Sequence, residues 1–307
     1  MIGIEAIAGY SPSLIDDNRE MIEAFQLEAG FLESKIGVLS KPLKAGDEET
    51  SDMCVSAYHR LRDKAPDLDG DLDCIVVCTQ HPDGRGLPHT SAIVHGKLGL
   101  NDNMAAFDIS LGCSGYVYGL SAITAFMKEN SLKRGVLFTA DPYSKSIDRS
   151  DRNTVLLFGD GAAATLLSDT PKLAVERSRF RTRGKDYHAL ENVNGVLHMN
   201  GRAIFNFAAV EVPIQVREIL ASGNYEIDDM DLFILHQGSK YIVDIIAKRL
   251  KLDINKVPCN LRNLGNTVSS SIPMILEDYI DKPEYKNILI SGFGVGLSWA
   301  TAILKRV

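Results

Sequence analysis

The chain has 307 residues, 45 % of them hydrophobic and 24 % charged, with a formal net charge of -7. This length can bury a sizeable core, either as two domains or as one duplicated unit. No apolar run approaches the roughly 18 residues that cross a bilayer, MIGIEAIAGY has no basic segment ahead of a long apolar stretch, and the acidic balance argues against nucleic acid, so the expectation is a cytoplasmic enzyme with neither membrane nor nucleic acid as partner.

Along the chain, the first strong element is the apolar run CIVVCTQ, entered through the polar Asp71-Leu72-Asp73. A short run without alternation reads as a buried strand, in which Cys74 and Cys78 pack as small hydrophobes. HPDGRGLPH follows. It holds His81, Asp83 and His89, but two glycines, two prolines and no second carboxylate make it a loop, and no metal site is expected. The five cysteines have no zinc-ribbon spacing and read as reduced thiols.

AAFDIS is the next strand, and LGCS turns into a helix whose later residues Val117, Leu120 and Ile123 are apolar. Cys113 thus occupies a strand-turn-helix elbow, where helix N–H groups favour a thiolate. A lone cysteine between strand and helix is as readily buried filler, and position alone leaves both readings open. GVLFTA from Gly135 is a further strand. FGDGAAATLL lacks the Lys of a phosphate loop and reads as a tight turn between strands. Arg177, Arg179, Arg181 and Arg183 alternate, placing four cations on one strand face as protection of a sheet edge.

The order then recurs. Asp229-Met230-Asp231 leads into LFIL, and His236 stands at that strand's carboxyl end, where ligands gather in open α/β sheets. KVPCNLRNLGNTVSSSIPMIL again runs from strand through a Gly turn into a helix, with Asn266 where Cys113 stood. NILISG from Asn287 follows Asn266 at a spacing within one residue of that from Cys113 to Gly135. GFGVG precedes LSWATAILKRV, a terminal strand rather than the helix that a dinucleotide fingerprint must open. Strands alternating with helices predict two similar α/β halves, residues 1–168 and 169–307, stacked about a pseudo-twofold. Such stacking brings together a thiolate nucleophile, an imidazole and an amide donor.

On DISLGCSGYVYGL, FGDGAAATLL, MNGRAIFNFA, LHQGS, GNTVSSSIP and GFGVGLSWA, in that order, the chain resembles the β-ketoacyl-ACP synthase III family of the thiolase superfamily over nearly its whole length. The resemblance implies a thiolase-like fold with layers in the order α-β-α-β-α. It also implies a decarboxylating Claisen condensation without a cofactor: Cys113 takes an acyl group from acyl-CoA or acyl-ACP and passes it to malonyl-ACP. The backbone N–H groups of Cys113 and Gly296 would hold the oxyanion, and His236 and Asn266 the enolate. A homodimer is implied as well, with Leu87 near the partner's acyl pocket.

By similarity, Lys240, Lys248 and Arg249 meet the acidic carrier protein; read as residues alone they are a solvated helix face. Phe31 and Lys35 align with positions that hold the CoA nucleotide, where Trp and Arg are usual. Gly238-Ser239 replaces the usual Ala-Asn, and Val295 interrupts a loop that is normally all glycine. These departures point to a specialised member fed by an acyl-ACP or an unusual acyl group. Two rival readings are an acyltransferase serving an alcohol or amine and a noncatalytic subunit of a heteromeric synthase. The intact Cys-His-Asn set argues against the second.

Overall fold

The uninterrupted apolar runs become sheet strands covered on both faces. The computed structural model describes residues 1–68 and 72–307, and Asp71 of the first polar turn lies outside the described residues. The first half of the chain holds β1 (Gly3–Tyr10), β2 (Leu14–Asp17), β3 (Ser40–Leu43), α1 (Thr50–Lys64), β4 (Cys74–Cys78), α2 (Thr90–Leu98), β5 (Ala105–Ile109), α3 (Gly115–Glu129), β6 (Arg134–Ala140), α4 (Arg152–Val155) and β7 (Ala162–Ser168). The second holds β8 (Leu173–Thr182), β9 (Leu190–Val193), β10 (Val196–Met199), α5 (Gly201–Ser222), β11 (Leu232–Leu235), α6 (Lys240–Leu250), α7 (Leu261–Leu264), α8 (Ser271–Leu276), β12 (Asn287–Gly294) and β13 (Ser298–Arg306).

Strand pairing repeats. One ladder runs β5-β4-β6-β7-β1 and the other β11-β12-β13-β8. Within each, the strand after the polar turn pairs in parallel with the strand after the helix, β4 with β6 and β11 with β12; β4 also pairs in parallel with β5, and the other ladder pairings are antiparallel. A single residue pair, Ile4 with Leu173, joins the two ladders. The repeat is incomplete at one edge: KVPCN joins no ladder, contrary to its reading as a strand. Pro258 has no N–H to offer there.

Helices α3 and α8 lie between the ladders. Tyr116, Leu120 and Ile123 of α3 and Ile272 and Leu276 of α8 pack with Val76 and Leu137 on one side and Ile234 and Ile290 on the other. The alternate strand residues face outward. Ile75, Val77 and Phe138 meet α1 through Met53, Tyr58 and Leu61, and Phe233, Leu235 and Leu289 meet α5 and α6. The layers are therefore α-β-α-β-α.

Two local features differ from or add to expectation. The arginines of β8 stand on the strand that ends the second ladder, paired with β13 along its length and with β1 at one residue only. They reach across to α5: Arg179 and Arg181 both pair with Glu218, at 3.1 and 2.8 Å, Arg183 pairs with Glu211, and Arg177 donates to the Ser222 carbonyl at 2.7 Å. The segment before FGDG is the short helix α4 rather than a strand, and Phe158 forms an isolated bridge with Asn266.

That bridge ties the halves together beside their reactive turns. The Asn266 N–H donates to the Leu157 carbonyl at 2.8 Å, and the Gly159 N–H to the Asn266 carbonyl at 3.2 Å. Ser270, with no exposed surface, donates to Thr139 of β6 at 2.9 to 3.0 Å. Ser270→Ala should lower unfolding free energy by about 1–3 kcal/mol by orphaning buried acceptors. The check is a lower urea midpoint with unchanged slope.

Candidate active site

β5 delivers the chain to the Gly112-Cys113 turn, Ser114 takes the N-cap position, and α3 begins at Gly115. β12 closes on this turn from the other half. A Cβ built on Gly292 would fall 2.5 Å from the Cys113 carbonyl oxygen, and one on Gly294 only 2.6 Å from the sulfur, so neither position accepts a side chain. The thiol is 3 % exposed. Burial pushes it up to about 12, against hydrogen bonds from the Val295 and Cys113 N–H groups and with a further rise from the Asp141 charge. The expected thiolate is therefore not the resting form. Cys113 precedes the helix cap, and desolvation outweighs the helix end.

The two amides at the sulfur form a ready oxyanion site. The second amide at the sulfur is that of Val295, the neighbour of the expected Gly296. Gly296, at φ 72°, lines a separate cavity of about 430 Å³ with Gln80, Leu111 and Tyr118.

His236 follows β11, its N–H bonded to the Ser291 carbonyl at 2.8 Å. Nδ1 lies 2.8 Å from the Ser271 hydroxyl, and the Phe293 ring meets the imidazole edge-on at 5.4 Å. Burial lowers its pKa to about 3, although a backbone hydrogen bond with Val268 raises it, so the ring is neutral at ordinary pH. Nδ1 is engaged by Ser271, and a Cβ on Gly238 would sit 3.9 Å from Nε2.

Asn266 is 4 % exposed, and its Oδ1 accepts the Val268 N–H at 2.9 Å. The carboxamide therefore presents Nδ2 as a donor. This turn is strained: Val268, a β-branched residue, has φ 51°. The VSSS run restrains it with three consecutive hydroxyls, Ser269 to Asp141, Ser270 to Thr139 and Ser271 to His236.

One cavity of about 240 Å³ is lined by Cys113, His236 and Asn266 together. Phe293 and Gly294 join them at its buried end, Phe158, Leu190 and Ile204 form apolar walls, and the half-buried to exposed Phe31, Lys35, Arg152 and Tyr241 mark its mouth. Phe31 and Lys35 were expected near a nucleotide. Arg152, Asn153 and Tyr241 were missed, since a surface arginine and one aromatic on an amphipathic helix leave no local signal. Tyr241 stacks on Phe205 at 5.0 Å and carries Lys35 Nζ 4.2 Å from its ring centre.

The other candidates scatter. Lys240 pairs with Asp244 at 2.5 Å, and Lys248 is exposed. Arg249, exposed as expected, spends one guanidinium nitrogen on the Ala209 carbonyl of α5 at 2.9 Å. Leu87 is 87 % exposed, far from solvent-shielded packing. In the same loop His81 Nε2 meets the Ser146 hydroxyl at 2.9 Å, and Asp83 accepts from the Ser51 amide and hydroxyl. Among the described residues no group of three His, Cys, Asp or Glu side chains is placed to hold a metal.

Two family models match the chain: 3-oxoacyl-[acyl-carrier-protein (ACP)] synthase III over residues 107–184, and the C-terminal part of the same family over residues 220–306. β-Ketoacyl-[acyl-carrier-protein] synthase III of Streptococcus sanguinis (strain SK36) is 32 % identical, with 98 % of each chain covered. A crystal structure of a 3-oxoacyl-(acyl-carrier-protein) synthase III superposes with a TM-score of 0.92 at 28 % identity, covering 99 % of each chain. The β-ketoacyl-[acyl carrier protein] synthase III of Thermus thermophilus does so at 0.91, also at 28 % identity and 99 % of each chain.

The depressed His236 pKa has a consequence for stability. An unfolded chain takes up a proton on this histidine near pH 6.5, whereas the folded chain refuses it until about pH 3. The imidazole's contribution is thus complete above about pH 6.5 and is lost as pH falls toward 3. The buried Asp141 carboxyl, pushed up to about 7, acts in the opposite sense over part of that range. The difference in unfolding free energy between wild type and His236→Gln, followed by urea titration from pH 7 to pH 4, isolates the histidine. Wild type should lose more stability on acidification than the variant.

Proposed function

The chain belongs to the 3-oxoacyl-[acyl-carrier-protein] synthase III family, and we propose that it condenses an acyl thioester with malonyl-ACP through an acyl-Cys113 intermediate. The observation that carries this reading is the single cavity shared by a thiol with two amides at its sulfur, a neutral imidazole and an outward-facing carboxamide donor. Residues 1–168 would supply the nucleophile, and residues 169–307 the imidazole and amide.

In the first step the Cys113 sulfur attacks the thioester carbonyl. The oxyanion collects at the Val295 and Cys113 N–H groups as the new S–C bond forms; its collapse breaks the donor's C–S bond, and the proton given up by Cys113 passes to the donor sulfur, which departs as a free thiol. Because burial holds the resting thiol neutral, proton loss accompanies attack rather than preceding it. In the second step malonyl-ACP loses carbon dioxide, and the electrons of the broken C–C bond pass into an enolate whose oxygen faces His236 Nε2 and Asn266 Nδ2. Neutral donors suit this task, since neither carries a charge that would have to be desolvated in an apolar cavity. The enolate carbon attacks the acyl carbonyl, the C–S bond breaks, and the β-ketoacyl product leaves on its carrier.

The mouth residues Phe31, Lys35, Arg152 and Tyr241 would receive the carrier's arm or a CoA nucleotide. An acidic carrier protein would dock by the exposed Lys248 and by Lys240 at the start of the same helix. A homodimer fits two further features: β5 ends its ladder with every residue half-buried, and Leu87 projects without cover. All five cysteines are free, and a working Cys113 must stay reduced, which suits a cytoplasmic setting.

Intact-mass measurement tests the reaction. Wild type incubated with a panel of acyl-CoA and acyl-ACP thioesters should gain an acyl adduct that malonyl-ACP discharges, and Cys113→Ala should gain none. His236→Ala and Asn266→Ala should still acylate but discharge about a hundredfold more slowly. Discharge by hydroxyl or amine acceptors alone would replace condensation with simple acyl transfer. No adduct with any donor would leave a noncatalytic role.

A further inference from the structure

Asp141 stands at the end of β6 with no exposed surface, between the two turns that carry the reacting groups. Its Oδ1 accepts the Gln80 N–H at 2.7 Å and the Thr79 hydroxyl at 3.4 Å, and its Oδ2 accepts the Ser269 hydroxyl. Each partner leads to one side of the site. Gln80 lies against the cysteine turn, where a Cβ built on Gly112 would meet its Oε1 at 2.4 Å. Ser269 belongs to the opposite turn, between Asn266 and the Ser271 that holds His236.

We propose that Asp141 is a positioning residue: one carboxylate, shared between the Gln80 amide and the Ser269 hydroxyl, sets the placement of Asn266 and His236 relative to Cys113. Its neighbours are hydroxyls and amides, and burial rather than a cation governs its ionisation, with the Gln80, Ser269 and Thr79 hydrogen bonds acting against burial. The titratable groups that feel its charge are Cys113, Tyr143, Cys78 and Cys54, each raised by it. An acid in this place therefore opposes the thiolate, which rules out a direct part in activating the sulfur. What it supplies is geometry. A carboxylate can accept from two turns at once through its two oxygens, whereas a carboxamide offers one acceptor and would turn an N–H₂ toward the second donor.

The proposal rests on the reading of Cys113, His236 and Asn266 as the reacting set, and Asp141→Asn separates the two. The variant should discharge acyl-Cys113 with malonyl-ACP about tenfold or more slowly, as expected of misplaced reacting groups. Its Cys113 should nonetheless alkylate with iodoacetamide several-fold faster at pH 8, with the inflection moved to lower pH, because the opposing charge is gone. A merely structural acid would not produce these opposite signs. Ser269→Ala cuts the same link while keeping the charge, and should slow discharge without lowering the inflection. Should Asp141→Asn discharge at the wild-type rate, or should discharge, acylation and alkylation fall together, the proposal is overturned. A wild-type protein that never acylates at Cys113 overturns the underlying reading and the proposal with it, a case that the alkylation arm distinguishes.

Discussion

Desolvation is the constraint on which this site depends. A thiol, an imidazole and a carboxyl lie within one seam with almost no exposed surface, and burial is the largest influence pushing each toward its neutral form. Neutrality is chemically useful here. A decarboxylation that generates an enolate needs hydrogen-bond donors that do not themselves pull solvent into the cavity, and a protonated imidazole would do so. The cost falls on the nucleophile, whose thiolate is unfavourable at rest, and the Val295 and Cys113 amides at the sulfur act against that cost. They are also the groups on which the oxyanion would form, so one arrangement assists both the entering negative charge and its transfer to oxygen.

The two halves solve the same local problem differently. In the first half, the turn is held by close approach: β12 backbone presses on Cys113 so tightly that Gly292 and Gly294 have no room for a Cβ. In the second, the turn carries a strained valine and is restrained by hydroxyls reaching three separate places. Two of those hydroxyls cross into the first half, at Thr139 and Asp141. The duplication therefore supplies the scaffold, while the contacts that align one turn with the other are unlike in kind and have no counterpart across the pseudo-twofold.

Much of this was legible in the sequence. Uninterrupted apolar runs gave the strands, and the near-equal spacing from Cys113 to Gly135 and from Asn266 to Asn287 located two equivalent turns. What escaped depends on quantities that a string of residues does not carry. Which amide reaches the sulfur is decided by the backbone path through Val295 and Gly296, with φ 72° at the latter, and a glycine-rich pattern does not carry that path. The reach of the β8 arginines to α5 was hidden because Glu211 and Glu218 lie on a helix well further along the chain, too distant for a local pattern to pair them. The resting state of the thiol was misread for a related reason. A helix end is visible in sequence, but the depth of burial is not.

Charge is distributed along the cavity in a way that follows from the same constraint. Lys35 and Arg152 stay at the mouth, where water screens them and an anionic carrier or nucleotide would approach. Apolar walls of Phe158, Leu190 and Ile204 separate that rim from the buried end. An incoming thioester arm would thus be drawn by charge outside and stripped of water on the way in, meeting only neutral donors at the carbon to be joined. A cation moved inward past those walls would stabilise malonyl's carboxylate in the ground state, and so oppose the loss of carbon dioxide that condensation requires. Keeping the positive groups at the rim is therefore part of the chemistry, as much as placing the thiol, imidazole and amide at the base.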